Sequence, residues 1–130
     1  MKIFDLIIEQ IIYTYPSSTT YHDIQNKKGH LTLEVSPFGE ITINDNFHIF
    51  IKYLNPYSTN FTTYESFFKS RLKIEGYEAY IYQEKIDIYK RSVASSNDFE
   101  YAIKRANAFI EVVRCIEKFI DWNETLNKKQ

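Results

Sequence analysis

Residues 97–126 read NDFEYAIKRANAFIEVVRCIEKFIDWNETL, and the spacing within this stretch decides the fold. Advanced at 100° per residue, Ala102, Ala106, Phe109, Val113, Ile116 and Ile120 fall on one stripe, an alternating four-three spacing that predicts an amphipathic helix. Phe99, Ile103, Ile110 and Phe119 widen the stripe. Glu100, Lys104, Asn107, Glu111, Arg114 and Lys118 gather on the opposite side. Asn97 with Glu100 reads as a capping box at its start. The stripe is broader than the roughly 100° that one core contact needs. A sheet is expected over its centre, and a second helix or a second copy of the chain over its edge. The remaining residues must supply that sheet.

Just upstream, Tyr77–Tyr82 and Ile86–Val93 read as two strands joined at Gln83-Glu84-Lys85, with Ile86 and Ile88 pointing opposite to Asp87, Tyr89 and Arg91. A helix is predicted from Thr62 to about Glu75, opened by a Thr62/Glu65 capping box and closed at Gly76 in the left-handed conformation. Before it, Leu31–Leu54 reads as a three-stranded antiparallel meander. Leu31, Leu33 and Val35 share one face, as do Ile41 and Ile43, then Phe47, Ile49, Ile51 and Tyr53; His48, Phe50, Lys52 and Leu54 lie opposite. Ser36-Pro37-Phe38-Gly39 fits a type I turn, and Asn44-Asp45-Asn46 offers residues that tolerate positive φ. Residues 16–29 are polar with little period and read as irregular, pinned by Tyr21 and Ile24. Phe4, Ile7, Ile8, Ile11, Ile12 and Tyr15 have helical spacing, so a first helix is expected over 2–15, ending before Pro16. The expected fold is therefore a single α+β domain over residues 1–130, with a five-stranded antiparallel sheet packed on the long C-terminal helix.

Composition narrows the function classes. Eleven Tyr and ten Phe against three Gly and three Pro indicate an ordered chain. A net charge of −1 gives no global field toward nucleic acid or anionic membrane. A single cysteine, Cys115, excludes an internal disulfide and a multi-cysteine metal site, and its place at the rim of the helix stripe marks a structural thiol. Asp5 and Glu9 interrupt the apolar start, so it is not a signal-peptide core, and no run reaches the length of a membrane span. A cytoplasmic location is expected. The sequons at Asn60 and Asn123 then carry no meaning.

Catalytic chemistry is not visible. His22, His30 and His48 lack the paired spacing of metal ligands, His22-Asp23 reads as a solvated loop pair, and Gly29, Gly39 and Gly76 are isolated. No catalytic residue, metal or cofactor is expected. The unusual feature is aromatic residues on the presumed outer sheet face: if Ala79 and Ile81 point inward, Tyr80, Tyr82 and Tyr89 point outward, and Phe50 lies opposite Ile49 and Ile51. Tyr is suited to binding surfaces through its apolar body and polar tip; it is also simply a good strand former. Phe50, Tyr80, Tyr82, Tyr89 and Arg91 are the candidate protein-binding residues. Interleaving of these tyrosines with Lys85, Lys90 and Arg91 offers a second reading, a single-stranded nucleic-acid surface. Glu78, Glu84 and Asp87 dilute that patch.

The order α-β-β-β-α-β-β-α resembles the class I type III secretion chaperones. The meander Leu31–Leu54, the middle helix Thr62–Glu75 and the closing helix with Phe109, Ile110, Val113, Ile116 and Trp122 carry the resemblance. It implies a homodimer holding an extended segment of a protein partner against apolar surface. That family is usually strongly acidic, whereas this chain is near neutral and rich in Tyr and Lys. The reading that follows is a non-enzymatic protein-binding module of bacterial or phage type that sequesters or blocks a partner. It would be a chaperone for a secreted effector, an immunity protein against a toxin, or a phage inhibitor of a host defence enzyme.

Overall fold

The computed structural model describes residues 3–14, 22–27, 29–35, 38–52, 61–91 and 99–128, those at 22–27, 61 and 126–128 by backbone alone. The long apolar stripe forms helix α3, Phe99–Lys128, and buries Ala102, Ala106, Phe109, Val113, Ile116 and Phe119. Its proposed cap at Asn97 lies outside the described residues. The first helix, α1 (Ile3–Thr14), buries Ile3, Ile7, Ile8 and Ile11 and packs along α3. A second helix thus covers an edge of the broad stripe.

The sheet supplies the other cover. Strands β2 (His30–Val35), β3 (Gly39–Asn44) and β4 (Ile49–Lys52) form the meander, and β5 (Tyr77–Ile81) and β6 (Lys85–Lys90) form a hairpin. The hairpin enters through β6, which pairs antiparallel with β4. All five expected strands therefore lie in one antiparallel sheet. A further strand, β1 (His22–Lys27), pairs with β2 at the sheet edge, giving the order β1-β2-β3-β4-β6-β5. The residues of β1 lie within the polar stretch read as irregular; with Ile24 its only apolar residue, β1 has no alternation to reveal it. Its definition comes from the ladder with β2, a tertiary contact that period analysis does not sense. Tyr21 and the side chain of Ile24 lie outside the described residues.

Alternation along the strands sends Leu31, Leu33, Val35, Ile41, Ile43, Ile49, Ile51, Ile86 and Ile88 into the core against the helices. The middle helix, α2 (Phe61–Arg71), closes one end with an aromatic cluster. Phe119 of α3 stands 5.1 Å from Phe68, 5.2 Å from Phe67 and 5.2 Å from Phe38, with Trp122 stacked 5.0 Å from Phe67. Tilted and edge contacts of this kind suit the ring quadrupoles and fill the volume between helix and sheet. The Tyr64 hydroxyl donates to the Tyr82 and Gln83 carbonyls, tying α2 to the β5–β6 turn.

Three local expectations are corrected. Phe61 is already helical, so Thr62 sits inside the first turn of α2, and Glu65 pairs with Lys69 at 3.7 Å. The helix also ends at Arg71, before Gly76. Gly76, at φ 83°, instead occupies a turn closed by the Tyr77 N–H donating to the Ile74 carbonyl at 3.1 Å, which aims the chain into β5. In the β3–β4 hairpin the residue with positive φ is Phe47, at 67°, not one of Asn44-Asp45-Asn46. Asn44 accepts from Phe47 N–H at 2.9 Å and donates to the His48 carbonyl at 3.0 Å, while its Oδ1 takes the Asn46 N–H at 2.9 Å. This is a turn followed by a left-handed bulge residue. The third strand consequently starts at Ile49; Tyr53 and Leu54 lie outside the described residues, as do Ser36 and Pro37 of the preceding turn.

Candidate binding face

The helices pack on one side of the sheet. On the other, Tyr80, Tyr82 and Tyr89 are 45%, 47% and 44% exposed, so roughly half of each ring meets solvent in one shared patch. Strand parity puts them there: Tyr77, Ala79 and Ile81 face inward with Ile86 and Ile88, and the residues between them face out. Tyr80 and Tyr89 meet edge to face at 5.8 Å, and His48 meets Tyr89 the same way at 5.1 Å. Phe50 extends the patch toward the meander. It is half-buried, opposite Thr42 on one side and Asp87 on the other, with the Lys52 ammonium 4.9 Å above its ring. Beyond it, the Thr32 and Thr42 hydroxyls bond to each other at 2.9 Å.

The charges of this face are largely spent on one another. Arg91 pairs with Glu78 at 3.7 Å, and Lys85 pairs with Asp87 at 3.5 Å while its ammonium lies 5.3 Å from the Tyr82 ring. The Tyr80 hydroxyl donates to Glu78 at 2.9 Å, and that carboxylate holds the phenol above its ordinary value. Lys90 does not join the patch. It has inward parity, and its ammonium sits 5.0 Å from the Phe47 ring. The structure thus brings Tyr80, Tyr82, Tyr89 and Phe50 together, places Arg91 at the rim, and removes Lys90 from the set. His48 is the contributor that residue typing passed over, although its parity with Phe50 and Lys52 was readable from the alternation.

The surroundings of His48 favour its neutral form. Its Nδ1 accepts the Lys90 N–H at 3.2 Å, and burial, with the Lys90 charge second, pushes the imidazole below its usual 6.5. The other histidines do not assemble with it: His30 is on β2 with β3 intervening, and the His22-Asp23 side chains lie outside the described residues. Among the described residues no three His, Cys, Asp or Glu side chains come together. Cys115 is buried, and burial pushes its thiol up to about 11, where it is a poor nucleophile at neutral pH. Asn123 of the second sequon is fully buried in α3. No helix among the described residues is long and apolar enough to cross a membrane.

The patch turns the corner of the sheet into a groove of about 710 Å³ along β5, between Ala79, Tyr80 and Ile81 on one side and Phe68, Leu72 and Lys73 on the other. Among the described residues, β5 is the last strand of the sheet. The Arg91 N–H donates to Gly76 and the Tyr82 N–H to Lys85, which sets the phase of the ladder. By alternation, the N–H and C=O of Ala79 and Ile81 point away from β6, toward the groove. No protein-family model matches the chain, and neither a curated protein nor a solved structure shows significant similarity to it.

Proposed function

We propose that this protein is a small non-enzymatic module that binds a protein partner and acts by sequestering or blocking it. The observation that carries the reading is the cluster of half-exposed tyrosines on a sheet face that lacks a helix cover among the described residues. Aromatic rings with polar tips, packed against one another and already ordered, lose little entropy on binding. The pairing of Arg91 with Glu78 and Lys85 with Asp87 leaves little uncompensated positive charge for phosphates, which favours a protein over a single-stranded nucleic acid. The adjoining groove, along a β5 edge that no other strand among the described residues pairs with, suits an extended segment of that partner, through strand addition. The resemblance to secretion chaperones implies a homodimer and a secreted effector as partner; a toxin or a host defence enzyme fits the small size and the absence of visible catalytic residues equally well.

The test is affinity capture with the wild-type chain and with a Tyr82→Ala/Tyr89→Ala variant, each with and without nuclease. A stoichiometric protein retained after nuclease and lost with the variant supports the reading. Material that disappears with nuclease, or capture that is the same for both chains, overturns it. The identity of the retained protein chooses between chaperone, immunity and inhibitor roles.

A further inference from the structure

We propose that His48 is a positioning residue of the tyrosine face: its neutral imidazole closes the β4–β6 junction and seats the Tyr89 ring, so the face is fully formed only while His48 is unprotonated. This rests on the tyrosine face being the binding surface, and it adds a proton-dependent control to that surface.

The argument starts at Phe47. The β4–β6 ladder runs Lys52↔Lys85, Phe50↔Asp87, Ile51↔Ile86 and Ile49↔Ile88, and its continuation would set Phe47 opposite Lys90. Odd residues of β6 direct their backbone groups at β5, as the Arg91-to-Gly76 and Tyr82-to-Lys85 bonds show, so the Lys90 N–H points at β4. The left-handed φ of Phe47 breaks the ladder there. Two backbone groups then lose each other as partners: the Phe47 carbonyl and the Lys90 N–H. Each is satisfied by a side chain instead. The Tyr77 hydroxyl donates to the Phe47 carbonyl at 2.9 Å, and the Lys90 N–H donates to His48 Nδ1 at 3.2 Å. A buried backbone donor without a partner is costly, so the imidazole stands in for a missing carbonyl.

That substitution has a condition a carbonyl lacks. An imidazole nitrogen accepts only when it carries no proton, and imidazolium is a donor at both nitrogens. Protonation converts the Lys90 contact from a bond into a donor–donor clash, beside the Lys90 ammonium. The same ring packs on Tyr89, which packs on Tyr80, so the disturbance enters the binding patch directly. The titratable groups around His48 are Tyr89 and Lys90 on β6 and, one strand further, Glu78 opposite Tyr89 and engaged with Arg91. On the other side the register places Asn44, whose Oδ1 accepts the His48 N–H at 3.2 Å, then His30 of β2; Asp45 follows in the turn. The carboxylate of Glu78 is committed to Arg91 and Tyr80, which leaves Lys90 as the charge with the strongest claim on the ring.

Amide hydrogen exchange on the isolated chain tests this without a partner. Exchange at Lys90, expressed relative to the unstructured rate at each pH, is compared at one pH above and one below the His48 midpoint, which is read from the wild-type imidazole resonances, for wild type, His48→Gln and His48→Phe. The wild-type Lys90 amide is expected to lose protection roughly tenfold or more on acidification while Ile86 and Ile88 keep theirs. His48→Gln, which keeps an acceptor that does not titrate, should remain protected at both values; His48→Phe, which keeps only the ring, should be unprotected at both. The Tyr89 ring resonances should shift with the wild-type midpoint and stay still in His48→Gln. Equal Lys90 protection at both pH values in wild type, or a pH step that persists in His48→Gln, overturns the proposal. If His48→Phe does not fold, the comparison of wild type with His48→Gln still decides. Loss of partner capture by Tyr82→Ala/Tyr89→Ala is a separate measurement, so failure of the binding reading and failure of the His48 role are told apart.

Discussion

Phe47 is a bulky residue held at φ 67°, a conformation that costs an L-residue about 1–2 kcal/mol. It persists because its neighbours over-determine it. Its ring meets Tyr101 edge to face at 5.6 Å, its carbonyl takes the Tyr77 hydroxyl, and the Lys90 ammonium lies over it. Two truncations separate packing from backbone strain. Phe47→Ala loses the packing and keeps the strain, whereas Phe47→Gly loses the packing and relieves it. Urea unfolding should therefore find Phe47→Gly more stable than Phe47→Ala by roughly 1 kcal/mol, the reverse of the usual order for these two residues. Tyr64 gives a second prediction at this scale. Burial, with Glu65 second, pushes its phenol from 10.0 up to about 12. The fold thus prefers the neutral phenol, so the contribution is complete below pH 10 and is lost as pH rises from 10 toward 12. Stability measured across that window should fall more steeply for wild type than for Tyr64→Phe, which has no proton to lose.

At the scale of elements, α3 holds the fold because sheet, α1 and α2 all bury apolar surface against it. Phe109 is fully buried at its centre, and Phe109→Ala should cost on the order of 3–5 kcal/mol in chemical denaturation. Elements with strong periodicity were legible in the sequence: α1, α3, β2, β3 and the β5–β6 hairpin all lie where their apolar spacing puts them. Those without it were not. β1 is polar and depends on β2 for its hydrogen bonds. The ends of α2 moved because Thr62/Glu65 is one of several local options, and the path from Leu72 into Tyr77 is set by what each must bury.

For the whole molecule, the described helices cover one face of the sheet and not the other, so side chains on the two faces should differ in what they contribute to stability. Tyr82→Ala with Tyr89→Ala removes half-exposed rings from strand and turn positions. It should cost no more than about 1 kcal/mol of stability by thermal or urea unfolding, since cross-strand pairs of this type contribute at that level. Any loss of partner binding in the same variant, measured by the capture experiment, then reports on the surface and not on unfolding.

The candidate site was half legible. Parity along Tyr77–Tyr82 and Ile86–Arg91 sufficed to place Tyr80, Tyr82 and Tyr89 on one face, because the two-residue repeat of a strand is a local property of the backbone. By the same local rules the sequence determined the class of the fold and its long helix. The inward parity of Lys90, shared with Ile86 and Ile88, was equally readable; that its ammonium lies over Phe47, that Arg91 pairs with Glu78, and that His48 replaces a lost carbonyl were decided only in the tertiary structure. Those three contacts join residues well separated in the chain, 42 positions in the case of His48 and Lys90, and no spacing rule reaches across that distance.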